Sequence, residues 1–149
     1  MIIAFFGHAD FAGSVTIREK LIEVLRSCAE NEKIELLFGG YGAFDRFAFE
    51  TGKIFRALYP QTKLVLVTPY LSNTKTLQEK EKGYDETIYP PIESVPKKFA
   101  ISARNKWMAE KANMIIAYVD HDWGGAYQVC LYAFRKGKKI VQLGKSATH

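Results

Sequence analysis

The sequence predicts an α/β fold: a Rossmann-like three-layer sandwich in which a mostly parallel sheet carries helices on both faces. Three observations predict it. Short apolar runs alternate along the chain with stretches whose apolar residues recur at helical spacing. The runs, such as "MIIAFF" and "KLVLVT", are continuous instead of alternating with polar residues, as in strands buried on both faces. Several runs end in glycine-bearing turns that lead into the next helical stretch.

Each element follows in order. "MIIAFF" is the first strand and ends at Gly7. Ile17, Leu21, Val24, Leu25 and Cys28 mark the first helix, with Ser14 or Thr16 placed to cap it. "KIELLF" is the second strand. Phe47, Thr51, Ile54, Phe55 and Leu58 line one face of the second helix, which Pro60 closes. "KLVLVT" is the third strand, ended by Pro69. "LSNTKTLQEKEKGY" holds helix formers with weak periodicity, and "DETIYPP" gives a short fourth strand. "VPKKFAISARNKWMAEKA" is helical and "NMIIAYV" is the fifth strand. Tyr127, Cys130, Leu131 and Phe134 mark a helix ended by Gly137, before a last strand in "KKIVQLG". The tail "GKSATH" is polar and expected to fray.

The 149 residues suit one domain, 1–149, with a substantial core. The hydrophobic share of 48% and charged share of 25% are those of a soluble globule, and no apolar run reaches the roughly 20 residues of a membrane span. The N-terminus does not read as a signal peptide, and Cys28 and Cys130 fit reduced core positions, so the expected compartment is the cytoplasm. The net charge of +5 is spread among acids, as in "LQEKEKG", which argues against a nucleic-acid surface. No Cys/His spacing suggests a metal site, and no cofactor is implied.

Ligands in such folds bind at the carboxyl ends of the strands. "LLFGGYGAFD" places Gly39, Gly40 and Gly42 between a strand and a helix, where backbone N–H groups and the helix dipole suit a phosphate. The spacing is neither a dinucleotide fingerprint nor a P-loop. Asp45 either favours the helix dipole or accepts bonds from ribose hydroxyls, and it is the candidate acid for any catalysis. "DHDWGGAY" repeats the pattern with Gly124 and Gly125. Gly7 and His8 close the first strand in the same way. Arg104 shares an apolar face with Ile101 and Met108. A helix capped by Ser102 would place it in the first turn, ready to bind phosphate, the alternative being a snorkelling surface arginine. Tyr41, Trp123 or Tyr127 would stack on a base, or else pack on the sheet.

With these residues in view, "LLFGGYGAFD", "SARNKWMAEKANMIIAYV" and "WGGAYQVCLYAFRKGKKIVQL" resemble the SLOG superfamily of Rossmann-like nucleotide-binding proteins, most of all its YpsA/YspA-like branch. The superfamily also includes the Lonely guy phosphoribohydrolases and the DNA-processing protein DprA. The resemblance runs from Gly7 to about Leu143. It implies that Gly39, Gly40 and Gly42 form the first glycine loop. Arg104, Asn105 and Met108 match the phosphoribohydrolase R-K-x-x-M segment, whose arginine lies in the active site. Gly124 and Gly125 match the start of the P-G-G-x-G-T-x-x-E loop, but Trp123 replaces its proline, Tyr127 its third glycine and Gln128 its threonine. The catalytic glutamate has no counterpart among Val129, Cys130 and Leu131.

The expectation is a protein binding a nucleotide or nucleotide derivative. Phosphate would lie on Gly39–Gly42 and Gly124–Gly125, Arg104 would supply charge, and Asp45 or Asn105 would recognise sugar or base. The alternatives are an N-glycosidase or nucleoside transferase using an unorthodox acid (Asp10, Asp45, Asp120 or Asp122), and a DprA-like nucleic-acid binder using the weak stripe Lys97, Lys98, Arg104 and Lys106. A homodimer is open to the chain, with Asn73–Val95 as an interface.

Overall fold

In a computed structural model that describes residues 1–71 and 75–144, six strands form one sheet in which every pairing is parallel. The strands are β1 (Ile2–Gly7), β2 (Glu35–Phe38), β3 (Lys63–Val67), β4 (Glu86–Ile88), β5 (Met114–Tyr118) and β6 (Lys139–Gln142). The helices are α1 (Val15–Ala29), α2 (Ala43–Leu58), α3 (Lys75–Glu81), α4 (Ala100–Lys111) and α5 (Gly125–Arg135). The fraying expected of the tail, and the start of the irregular segment at Asn73, lie outside the described residues from 145 on and at 72–74.

Alternate residues along the strands build two cores. Ile3, Phe5, Leu36, Phe38 and Leu64 face Leu21 and Leu25 of α1 and Phe44, Ala48 and Phe55 of α2. Ala4, Phe6, Leu37, Val65 and Val67 face Met108 and Ala109 of α4 and Val129 and Ala133 of α5. Both sheet faces are therefore covered, which is why the strands read as unbroken apolar runs.

The strand order is β4-β3-β2-β1-β5-β6. The chain winds outward from β1 to β4, then crosses back to lay β5 on the free side of β1. The connections leaving β1 and β5 diverge to opposite faces, and this opens a crevice at their carboxyl ends. Gly7 and His8 close β1 there, and Asp120 and His121 follow β5.

Ser14 caps α1, its hydroxyl accepting from the Ile17 N–H at 3.1 Å. Ser102 caps nothing. Pro96 (φ −54°) starts a 3₁₀ turn, Lys97–Phe99, that runs directly into α4, so the helix begins before Ser102 and Arg104 falls in its second turn. The free thiols of Cys28 and Cys130 are half-buried, and burial pushes Cys130 up to about 12, far from a reactive thiolate. No helix among the described residues is long and apolar enough to cross a membrane.

Candidate functional site

A cleft of about 380 Å³ opens at the β1–β5 crevice. Gly7, His8, Gly39, Gly42, Asp45, Arg104, Asn105, Gly124 and Gly125 all line it, with Tyr41, His121 and Trp123. The two glycine turns thus face one cavity.

The first glycine loop already has an internal acceptor. The buried Asp45 carboxylate takes the N–H groups of Gly39 (3.0 Å) and Gly40 (2.9 Å). Those are the donors expected to cradle a phosphate, and an anion from outside would have to displace a side chain anchored in α2. Burial is the largest influence on Asp45 and raises its pKa to about 6, against the opposing pull of the loop amides and Arg104.

Arg104 is neither a snorkelling surface residue nor a freely presented phosphate ligand. Only 2% of it is exposed. Its Nη1 donates to the carbonyls of Gly39 (2.9 Å) and Val67 (2.7 Å), and its Nε to Asn105 Oδ1 (2.9 Å). It clasps the ends of β2 and β3, and a Cβ on Gly39 would come within 3.1 Å of the guanidinium. No acceptor among the described residues meets its Nη2, so part of the fork stays available to the cleft. The Nε bond also sets the Asn105 amide, leaving its NH₂ group without a partner among the described residues.

The two glycine turns share one backbone shape. Gly42 caps α2 at φ 91°, ψ 168°, and Gly124 caps α5 at φ 94°, ψ 171°, a region that side chains exclude. Their surroundings differ. At α2, Ala43 and Phe44 donate to the carbonyls of Ala9 (3.1 Å) and His8 (3.4 Å), so the loop after β1 stops the helix end. At α5, no acceptor among the described residues meets the N–H groups of Gly125, Ala126 and Tyr127. Nothing lies within 4 Å of where a Gly125 Cβ would be. The open helix end on the cleft is therefore that of α5, beside Asn105.

Across the crevice, three rings form a stack. His8 and His121 lie 3.4 Å apart between centroids, and His121 and Trp123 lie 3.8 Å apart. The Asp120 N–H lies 3.0 Å and the Asp120 carboxylate 3.2 Å from His8 Nε2, and burial lowers the His8 pKa against the pull of that carboxylate. His121 Nδ1 lies 3.0 Å from the Trp123 carbonyl and must donate to it, while His121 Nε2 is buried without a hydrogen-bond partner, 3.9 Å from Asp120 Oδ1. His8, Asp120 and His121 keep their ligand-type atoms within 4.8 Å of one another and are the residues that could hold a cation. The near-parallel rings set their lone pairs side by side, however, so the imidazoles would have to unstack before both reached one ion. Sequence reasoning passed over His121 as a site residue. Its signal was a histidine after each of two strands, visible only once β5 is placed beside β1.

Of the aromatic candidates, Tyr41 and Trp123 are about two-thirds exposed, while Tyr127 packs against the core under α5. Asp122 is exposed, and Asp10 lines the cleft.

No protein-family model and no curated protein match the chain. Solved structures do. The chain is similar to DNA processing protein A from Helicobacter pylori, which is described as binding single-stranded DNA: TM-score 0.58, 18% identity, over 95% of this chain and 64% of that one. It thus spans less than two-thirds of that chain's length. It is similar to the molybdenum cofactor carrier protein of Chlamydomonas reinhardtii (TM-score 0.56, 14% identity, 97% of this chain and 78% of that one). A third likeness is to TM1055, a structural-genomics target (TM-score 0.57, 12% identity, 93% and 71%). These likenesses are of the fold alone.

Proposed function

We propose that the protein binds a nucleotide or nucleotide-like small molecule in the cleft at the ends of β1 and β5. The observation that carries this is the pairing, in one cavity, of an open helix N-terminus with an exposed indole. The anionic group sits on the Gly125–Tyr127 N–H groups of α5, with Asn105 and the spare Arg104 nitrogen beside it. The planar group lies on Trp123, whose other neighbour is the His121 ring. Asp10 is placed for sugar hydroxyls. The cavity's volume lies in the range of small-molecule sites.

Calorimetry with AMP and with ADP-ribose tests this, together with mass spectrometry of the denatured protein for a ligand carried through purification. Saturable binding weakened at least fivefold by Trp123→Ala is expected. The absence of a carried ligand, together with no binding of either nucleotide at millimolar concentration, would sink the reading.

A further inference from the structure

The cleft does not end at Tyr41. On the far side of that residue a wider groove of about 850 Å³ runs over the ends of β3 and β4, and Tyr41 lines both cavities. Its floor is apolar, from Ile92 and Ala100, both under 10% exposed. Its rim carries aromatic rings paired with cations. Lys80 Nζ lies 4.2 Å from the Tyr41 ring centroid, and Lys97 Nζ lies 5.7 Å from that of Tyr70.

Rings give sequence-tolerant stacking platforms for bases, and ammonium groups beside them suit the phosphates between bases. Trp123 follows β5 and Tyr70 follows β3, three strand spacings apart, or roughly 14 Å along the sheet edge. One nucleotide on Trp123 would leave the outer groove empty, whereas two nucleotides joined through phosphate would fill both. An apolar floor lined by tyrosines has no role in the mononucleotide reading, and its rim, with Lys80 and Lys97 against the single acid Glu93, is net positive, the wrong charge for a cationic partner.

Resting on the proposed function of the inner cleft, we infer that the ligand is a dinucleotide: one base on Trp123, the second on Tyr70, and the linking phosphate between Tyr41 and the Lys80–Lys97 rim. The chemistry required is base–phosphate–base joined 3′–5′, with a terminal 5′-phosphate left for the α5 N–H groups.

The test compares affinities for AMP, the 3′–5′ dinucleotide pApA and a ten-residue single-stranded oligonucleotide, on the whole chain. The dinucleotide should bind tenfold or more tighter than AMP, the scale of one added charged hydrogen bond. In Tyr70→Ala/Lys97→Ala, checked for folding by its thermal melt, the ratio of dinucleotide to AMP affinity should fall to about one. Equal affinity for AMP and pApA would overturn this inference and leave the mononucleotide reading standing, as would an unchanged ratio in the double variant. No binding of any nucleotide would overturn both. A further gain of more than tenfold for the oligonucleotide over pApA would replace the dinucleotide by a nucleic-acid strand.

Discussion

Asp45 and Arg104 are buried charges in the same loop system, and each is held chiefly by backbone groups. That arrangement makes both of them stability residues first. Arg104→Ala removes the donors to two carbonyls and one side-chain amide and leaves Asp45 without its nearby cation; the expected loss is about 2–5 kcal/mol, read by urea denaturation. A loss under 1 kcal/mol would mean the clasp is dispensable. Asp45 gives a pH signature. Its pKa rises from 3.8 unfolded to about 6 folded, so the native state holds the proton more tightly. Its contribution is therefore fully present below pH 3.8 and is lost as pH rises through about 6. Two pKa units correspond to roughly 3 kcal/mol. Relative to Asp45→Asn, which cannot titrate, the wild type should lose about that much stability between pH 4 and pH 7. Parallel denaturation curves for the two proteins across that range would show that the loop amides hold Asp45 ionised throughout.

Two glycine-capped helices set the element scale, and they separate fold from ligand. Gly125 has no positive φ, stands in the first turn of α5, and has nothing within 4 Å of a new methyl group. Gly125→Ala should leave stability unchanged or raise it by up to about 1 kcal/mol, since alanine favours helix. The same methyl would sit where the ligand's anion is proposed, so nucleotide affinity should fall at least threefold. A stability gain with unchanged affinity would move the anion away from α5. Gly7→Ala has the opposite profile. A Cβ there would fall 2.2 Å from the Phe44 ring, and the wedge between β1 and α2 should cost about 1–3 kcal/mol in denaturant melts. The order and type of these elements were legible because continuous apolar runs and 3.6-residue periodicity each point to one structure. The start of α4 was not, because a Pro96-led 3₁₀ turn carries no periodic signal of its own. Nor was the closed state of the first glycine loop. The composition of "GGYGAFD" is the same whether its amides meet a ligand or Asp45. The partners of Arg104 lie 65 and 37 residues away in sequence, beyond any local pattern.

At the scale of the whole molecule, the strand order decides what the crevice offers a reaction. Laying β5 against β1 brings His8, Asp120 and His121 together at its mouth, while Asp45, the acid that sequence reasoning favoured, is held behind the Gly39–Gly40 amides. Release of a base from a nucleoside monophosphate passes through a positively charged sugar, and a carboxylate close to that sugar supplies much of the stabilisation. Asp45 is raised toward neutrality by its burial and is bonded to its own loop. By the sequence resemblance, the position of the phosphoribohydrolase loop's glutamate would fall among the apolar residues Val129, Cys130 and Leu131. Asp10 and Asp120 are exposed, where water competes for their charge. The expected outcome is saturable binding without turnover. Incubating the protein with AMP, other nucleoside monophosphates and NAD, and following free base by chromatography, should show no release above the protein-free control. Release abolished by Asp45→Asn would make that residue an acid despite its internal bonds. Release abolished by Asp120→Asn instead would place catalysis at the histidine stack, at the mouth of the same cleft. Either result would replace the proposed binding protein by an enzyme acting in the same cleft.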